Sequence, residues 1–216
     1  GQALRTITVS GTASEKTDPD YAQILYAVTT QADEAAACQV KNNESVSSTI
    51  ESLKEMGVKE SSISTEFNMN PIYDWSSSDQ HITGYTAQTS ITVTDIAIDK
   101  LGDILAESVR AGVNTVQSIS YYSSSFDEAY QKALKEAMKM ARGKAEVLAA
   151  SEGCEVGEIQ SVSESYYNDS QRYAQKSANF YVEETAAAAD AGAQGAVISP
   201  GTITVKAEIT AVYTIK

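Results

Sequence analysis

Few residues in this 216-residue chain are of the types that ordinarily do chemistry. His81 is the single imidazole, close in sequence to Asp79 and Tyr85 where a hairpin begins. A general acid–base role would require a partner group and an enclosing pocket; the other reading is an exposed turn histidine. Cys38 and Cys154 are the only thiols, and their spacing matches no redox or metal motif. Two readings stand for them: free, partly buried thiols, or a pair joined in an oxidising compartment. Glu34, Glu44, Glu51 and Glu55 mark one helical stretch, as a solvated face or a weak divalent-cation site. Lys135, Lys139 and Arg142 step by four and three along another, as a solvated face or a surface for an acidic partner. The sequence holds no nucleophile elbow, Gly-rich phosphate loop or Cys/His metal cluster. The expectation is a protein that is not an enzyme, with no catalytic residues, no cofactor and no metal.

Composition narrows the partners. Lys and Arg number 16 against 29 Asp and Glu, a net charge of −13. So acidic a chain repels nucleic-acid phosphates and anionic lipid surfaces, which need clustered cations. No apolar run approaches the roughly 18 residues of a membrane-spanning helix. The first residues carry neither a basic n-region nor an apolar h-region. The chain is therefore expected to be cytosolic, or exported with its signal peptide already removed.

The elements that must position these residues are legible from periodicity. Leu4-Arg5-Thr6-Ile7-Thr8-Val9-Ser10-Gly11 reads as a first strand, with 14–20 as a turn-rich connection. Residues 21–31 form a strand with apolar residues on both faces. A helix spans 33–56, its stripe Val46, Ile50 and Leu53, stopped by Gly57. Two alternating strands follow, Ile63 to Met69 and Tyr85 to Val93, with a polar hairpin loop over 73–79 between them. A second helix begins near Asp99 on Leu101, Ile104, Leu105, Ser108 and Val109, and 113–122 is a strand. Over 21–122 this is the ferredoxin-like βαββαβ order.

A third helix, about 126–152, is expected to open on a capping box of Ser125 and Glu128. Its stripe of Tyr130, Ala133, Leu134, Ala137, Ala141, Ala145 and Leu148 is mostly alanine, which lets a helix axis lie close to a sheet. Strands at 158–165 and 202–216 complete a second lobe built from 1–20 and 123–216. The fold class expected is α+β in two lobes, one ferredoxin-like, the other an antiparallel sheet under one long Ala-rich helix. An insert at 166–199 separates the last two strands. Its Tyr166, Tyr167, Tyr173, Phe180 and Tyr181 are candidate self-association anchors, because aromatics combine contact area with a hydrogen-bonding tip.

These runs resemble the SIMPL-domain family. The resemblance lies in Ile7 to Gly11, Pro19-Asp20-Tyr21-Ala22, Leu53 to Val58, Ile63-Ser64-Thr65 and Pro71-Ile72-Tyr73. It continues in Ile82-Thr83-Gly84-Tyr85, Ala111-Gly112-Val113-Asn114, the Ala141-Arg142 helix and Ile198 to Ile203. The family includes YggE-type exported bacterial proteins and periplasmic immunogenic proteins, and its function is largely uncharacterised. The resemblance implies a two-lobed α+β fold and export to the periplasm or cell surface. It also implies a tendency to self-assemble and a link to oxidative-stress tolerance; it brings no catalytic residues. Three function classes stay open: a structural, self-assembling cell-envelope protein, a monomeric binding module for a peptide or envelope component that uses exposed sheet edges, and an enzyme, which the residue inventory disfavours.

Overall fold

The computed structural model describes residues 4–76, 80–165, 172, 174–176, 180–181 and 199–216. Among them are three α-helices and two antiparallel sheets, a mixed α+β architecture. The chain divides into two compact units.

The first unit takes Gly1–Pro19, Tyr122–Ala174 and Gly201–Lys216. Its three-stranded sheet has β1 (Thr6–Thr17) and β6 (Val156–Glu164) flanking β9 (Ile203–Ile215). β9 alternates strictly, with Ile203, Val205, Ala207, Ile209, Ala211 and Tyr213 buried and the residues between them turned outward. β1 pairs with β9 along its whole length, from Thr6 with Thr214 to Thr17 with Ile203. Ser14, Glu15, Lys16 and Thr17 are therefore strand, where turn-forming residue types suggested a connection. Partnering by the start of β9 overrides local propensity.

α3 (Phe126–Ser151) covers this sheet. Its buried row is Phe126, Ala129, Ala133, Ala137, Ala141, Ala145 and Ala149, steps of three and then four. Leu148, expected in that row, is half exposed, and Ala149 takes its place. Each step of four turns about 40° round an ideal helix, so the contacted face winds along α3 and its last turn meets the sheet through Ala149. The capping box is also absent: Ser125 makes no side-chain cap bond and has φ −91°, ψ 11°. The turn is held one step earlier, where Ser123 Oγ accepts from the Ser125 amide at 3.2 Å and Ser123 O accepts from Phe126 N at 3.2 Å. Glu128 is drawn the other way, to Lys132 Nζ at 3.0 Å.

The second unit takes Asp20–Tyr121 and Gln175–Pro200. β2 (Tyr21–Ala32), β3 (Ile63–Asp74), β4 (His81–Ala97) and β5 (Thr115–Tyr122) lie in the order β3-β4-β2-β5. β4 pairs antiparallel with both β2 and β3. α1 (Ala35–Glu55) and α2 (Ile98–Ala111) bury Leu53, Leu101 and Ile104 against Ile24, Tyr26, Val28, Ile91 and Val93. Each helix ends in the same way: Val58 N donates to Leu53 O across Gly57 (φ 87°), and Val113 N to Ser108 O across Gly112 (φ 128°). The expected α1 stripe is displaced. Cys38, Asn42, Thr49 and Leu53 are fully buried, whereas Val46 only packs at the margin.

Two short strands of the insert, β7 (Ala174–Lys176) and β8 (Phe180–Tyr181), extend this second sheet beside β5. β8 pairs Thr115 with Tyr181 and Val116 with Phe180. The sequence reading gave the whole of 166–199 to the other lobe; a free edge on β5 accepts part of it here.

Candidate functional site

The residues singled out as chemically able are scattered. His81 opens β4, exposed and opposite Asp74 in the ladder. Asp74 is itself committed to a turn: its Oδ1 accepts from Ser76 N at 2.8 Å and Ser76 Oγ at 2.6 Å. These two bonds hold its carboxyl below the usual carboxylate range. Glu34, Glu44, Glu51 and Glu55 are all exposed along α1. No group of three or more His, Cys, Asp and Glu among the described residues gathers closely enough to hold a metal ion.

Both thiols are free. Cys38 lies on the buried face of α1, its Sγ 3.4 Å from Thr30 O and 3.4 Å from Tyr85 O. Cys154 is partly exposed just after α3 and accepts a hydrogen bond from Arg5 Nη2 at 3.3 Å. Lys135, Lys139 and Arg142 line the outside of α3, and the last two reach acids of their own helix: Lys139 to Glu136 at 3.9 Å, Arg142 to Glu146 at 3.2 Å. Arg142 also lies over the Tyr213 ring, 5.5 Å from its centroid. Tyr166, Tyr167 and Tyr173 lie outside the described residues; Phe180 and Tyr181 are placed by backbone in β8.

The polar cluster that the sequence did not advertise centres on Asn42. Its Nδ2 donates to Val28 O at 2.9 Å and to Ala87 O at 3.4 Å, while Thr89 Oγ1 donates to its Oδ1 at 2.5 Å. One amide thus ties α1 to two neighbouring strands. The signal in the sequence was Asn42 itself, four residues from Cys38 and seven from Thr49 on one helical face. Deeper in the same core lies Tyr26. Burial pushes its phenol well above the ordinary value near 10, with Ser108 beside it acting weakly the other way. Ser108 Oγ is committed to Ile104 O at 2.7 Å, and the Tyr26 hydroxyl finds no hydrogen-bond partner among the described residues.

Clefts in this unit are shallow. One of about 330 Å³ runs between α1 and α2, lined by Ser52, Glu55, Asp103, Glu107 and Arg110. Another of about 450 Å³ lies at the start of α2, with Lys59, Lys100, Ser62 and Asp95 on its rim. Ser62 Oγ and Thr94 Oγ1 both donate to Asp95 Oδ2 at 3.0 Å, holding Asp95 at its left-handed φ of 58°. That arrangement stabilises a bend in β4 and brings no nucleophile and base together.

The exposed surfaces are more distinctive. Tyr73 and Trp75 stand at the β3–β4 hairpin with ring centroids 6.0 Å apart, Trp75 being 73% exposed. In the first unit β6 is exposed over its last seven residues, including Ile159 and Val162. α3 packs on β1 and β9 and scarcely reaches β6.

Known proteins resemble this chain across most of its length. It is 30% identical to the 26 kDa periplasmic immunogenic protein of Brucella melitensis over 73% of this chain and 66% of that protein. It is 31% identical to the uncharacterized protein YggE of Escherichia coli K12 over 72% of this chain and 64% of that protein. The chain thus matches just under two thirds of the length of these relatives. The sequence model of the SIMPL family, described as a protein of unknown function (DUF541), matches residues 7–213, and the chain belongs to that family.

Proposed function

We propose that this protein is a non-enzymatic, exported component of the cell envelope that acts through protein contacts, as a structural, self-assembling element. The observation that carries the contact reading is β6, which among the described residues is an edge of its sheet that α3 scarcely reaches, while the other long strands of its unit lie under that helix. Self-assembly is supported by the aromatic residues of the 166–199 insert. An edge strand presents unpaired backbone N–H and C=O groups on its outer side, and these can take up a strand of another chain. Export is supported by the Brucella relatives, which are named periplasmic. No helix among the described residues is long and apolar enough to cross a membrane. The family's association with oxidative-stress tolerance belongs to the same proposal and would act through assembly.

The same edge also favours a monomeric binding module. Light-scattering mass of the full chain, compared with a chain lacking residues 168–196, separates the two. A large uniform oligomer that falls apart on deletion supports assembly through the tyrosine-rich insert. A monomer in both cases overturns self-assembly and leaves the binding module.

A further inference from the structure

Resting on the reading that this protein acts through protein contacts, we propose that β6 is the docking edge for an extended, basic segment of a different protein. Ser165 N donates inward to Glu208 O at 2.9 Å. With the alternation of an antiparallel ladder, Ser163 and Ser161 also turn their backbone groups toward β9, paired with Thr210 and Val212. Val162 and Glu164 then present their N–H and C=O groups along the free side. Val156–Glu164 contains no Lys, Arg or Pro, residues that commonly block a sheet edge. Its register irregularities are confined to the stretch before Ser161, leaving 161–164 regular.

Side chains set the chemistry of the occupant. Val162 and Glu164 oppose Ala211 and Ile209, so they share the face that α3 covers elsewhere, as does Ile159 opposite Tyr213. Ile159 and Val162 nonetheless remain 44% and 48% exposed, apolar surface of the kind an added strand would cover. Residues 152–165 carry Glu152, Glu155, Glu158 and Glu164 and no cation. Arg142 and Arg172 are paired with other acids, Arg142 with Glu146 at 3.2 Å and Arg172 with Asp127 at 2.7 Å. Tyr130 donates to a Glu164 oxygen, which fixes that carboxylate at the end of the edge.

A second copy meets the acids poorly, since its own β6 would bring the same glutamates and no cation to the edge. A segment alternating Lys or Arg with Val, Ile or Thr meets both demands, since its main chain extends the ladder and its cations meet the glutamates.

The test uses the full chain and two synthetic peptides of about eight residues, one alternating lysine with valine and threonine, the other with glutamate replacing lysine. Binding is read by fluorescence anisotropy at low and high salt, and by amide shifts in the chain. The expected result is binding of the lysine peptide alone, weakened by salt, with shifts concentrated at 160–165. Glu158→Lys with Glu164→Lys should weaken it by about tenfold or more. Val162→Pro, which removes an outward N–H without touching the β9 ladder, should do the same. Equal binding of both peptides, or binding indifferent to both variants, overturns the proposal. A drop in the mass of the peptide-free chain caused by Val162→Pro also overturns it, because a second copy is then the occupant. Self-assembly that survives all these variants leaves the broader reading of the protein intact while removing β6 from it.

Discussion

Gly11 on β1 lies directly beneath the main chain of α3: a Cβ built on it would fall well inside contact distance of Ala137 O. The same atom would sit 3.0 Å from Ala141 N, so helix backbone, not a yielding side chain, fills the space. The alanines of α3 let the helix descend this far, and the glycine on the strand completes the approach.

Gly11→Ala should therefore destabilise the chain although it adds a single methyl group. We expect a cost of roughly 1–3 kcal/mol from overpacking, and a similar or larger one for Ala141→Phe. Denaturant midpoints measure both. An unchanged midpoint for Gly11→Ala would mean that β1 and α3 are not in contact at this point.

Asn42→Leu keeps the number and branching of the side-chain heavy atoms but strips the amide from Val28 O, Ala87 O and the Thr89 hydroxyl. Leaving such buried groups unpaired should cost about 1–3 kcal/mol. Thr89→Val added to Asn42→Leu should cost less than the sum of the two single changes, because the pair acts as one unit. Strict additivity in that double-mutant cycle would show that the bond contributes nothing.

Tyr26 makes stability depend on alkaline pH. Its folded-state ionisation lies above the unfolded one because burial disfavours the phenolate. The protonated phenol's contribution is complete below about pH 10 and is lost as pH rises through the higher folded value. Tyr26→Phe should flatten the alkaline limb of the stability profile and leave neutral-pH stability unchanged or slightly raised, since the hydroxyl it removes is unpartnered. A marked loss of stability at neutral pH in Tyr26→Phe would reveal a hydrogen bond at that hydroxyl.

The two thiols should differ in reactivity. Native alkylation is expected to modify Cys154 quickly and Cys38 only after unfolding, because Cys38 is sealed on the buried face of α1. Intact mass under denaturing, non-reducing conditions should show both cysteines alkylated. The absence of any adduct would mean a disulfide.

What the sequence determined by itself was periodicity: the strict alternation of Ile203 to Ile215, the alanine row of α3, and glycines just beyond three helix ends. These are local signals, carried by residues a few positions apart, and they were enough to place the elements and the family. The tertiary structure decided what depends on partners distant in sequence. Ser14 to Thr17 became strand because β9 lies beside them, and Asn42 became a buried hub because two strands offered it carbonyls. Leu148 turned outward because the row in contact with the sheet keeps stepping by four, to Ala149. The bare edge of β6 is likewise invisible along the chain: exposure of Ile159 and Val162 follows from where α3 lies across the sheet, and no residue of β6 encodes that position.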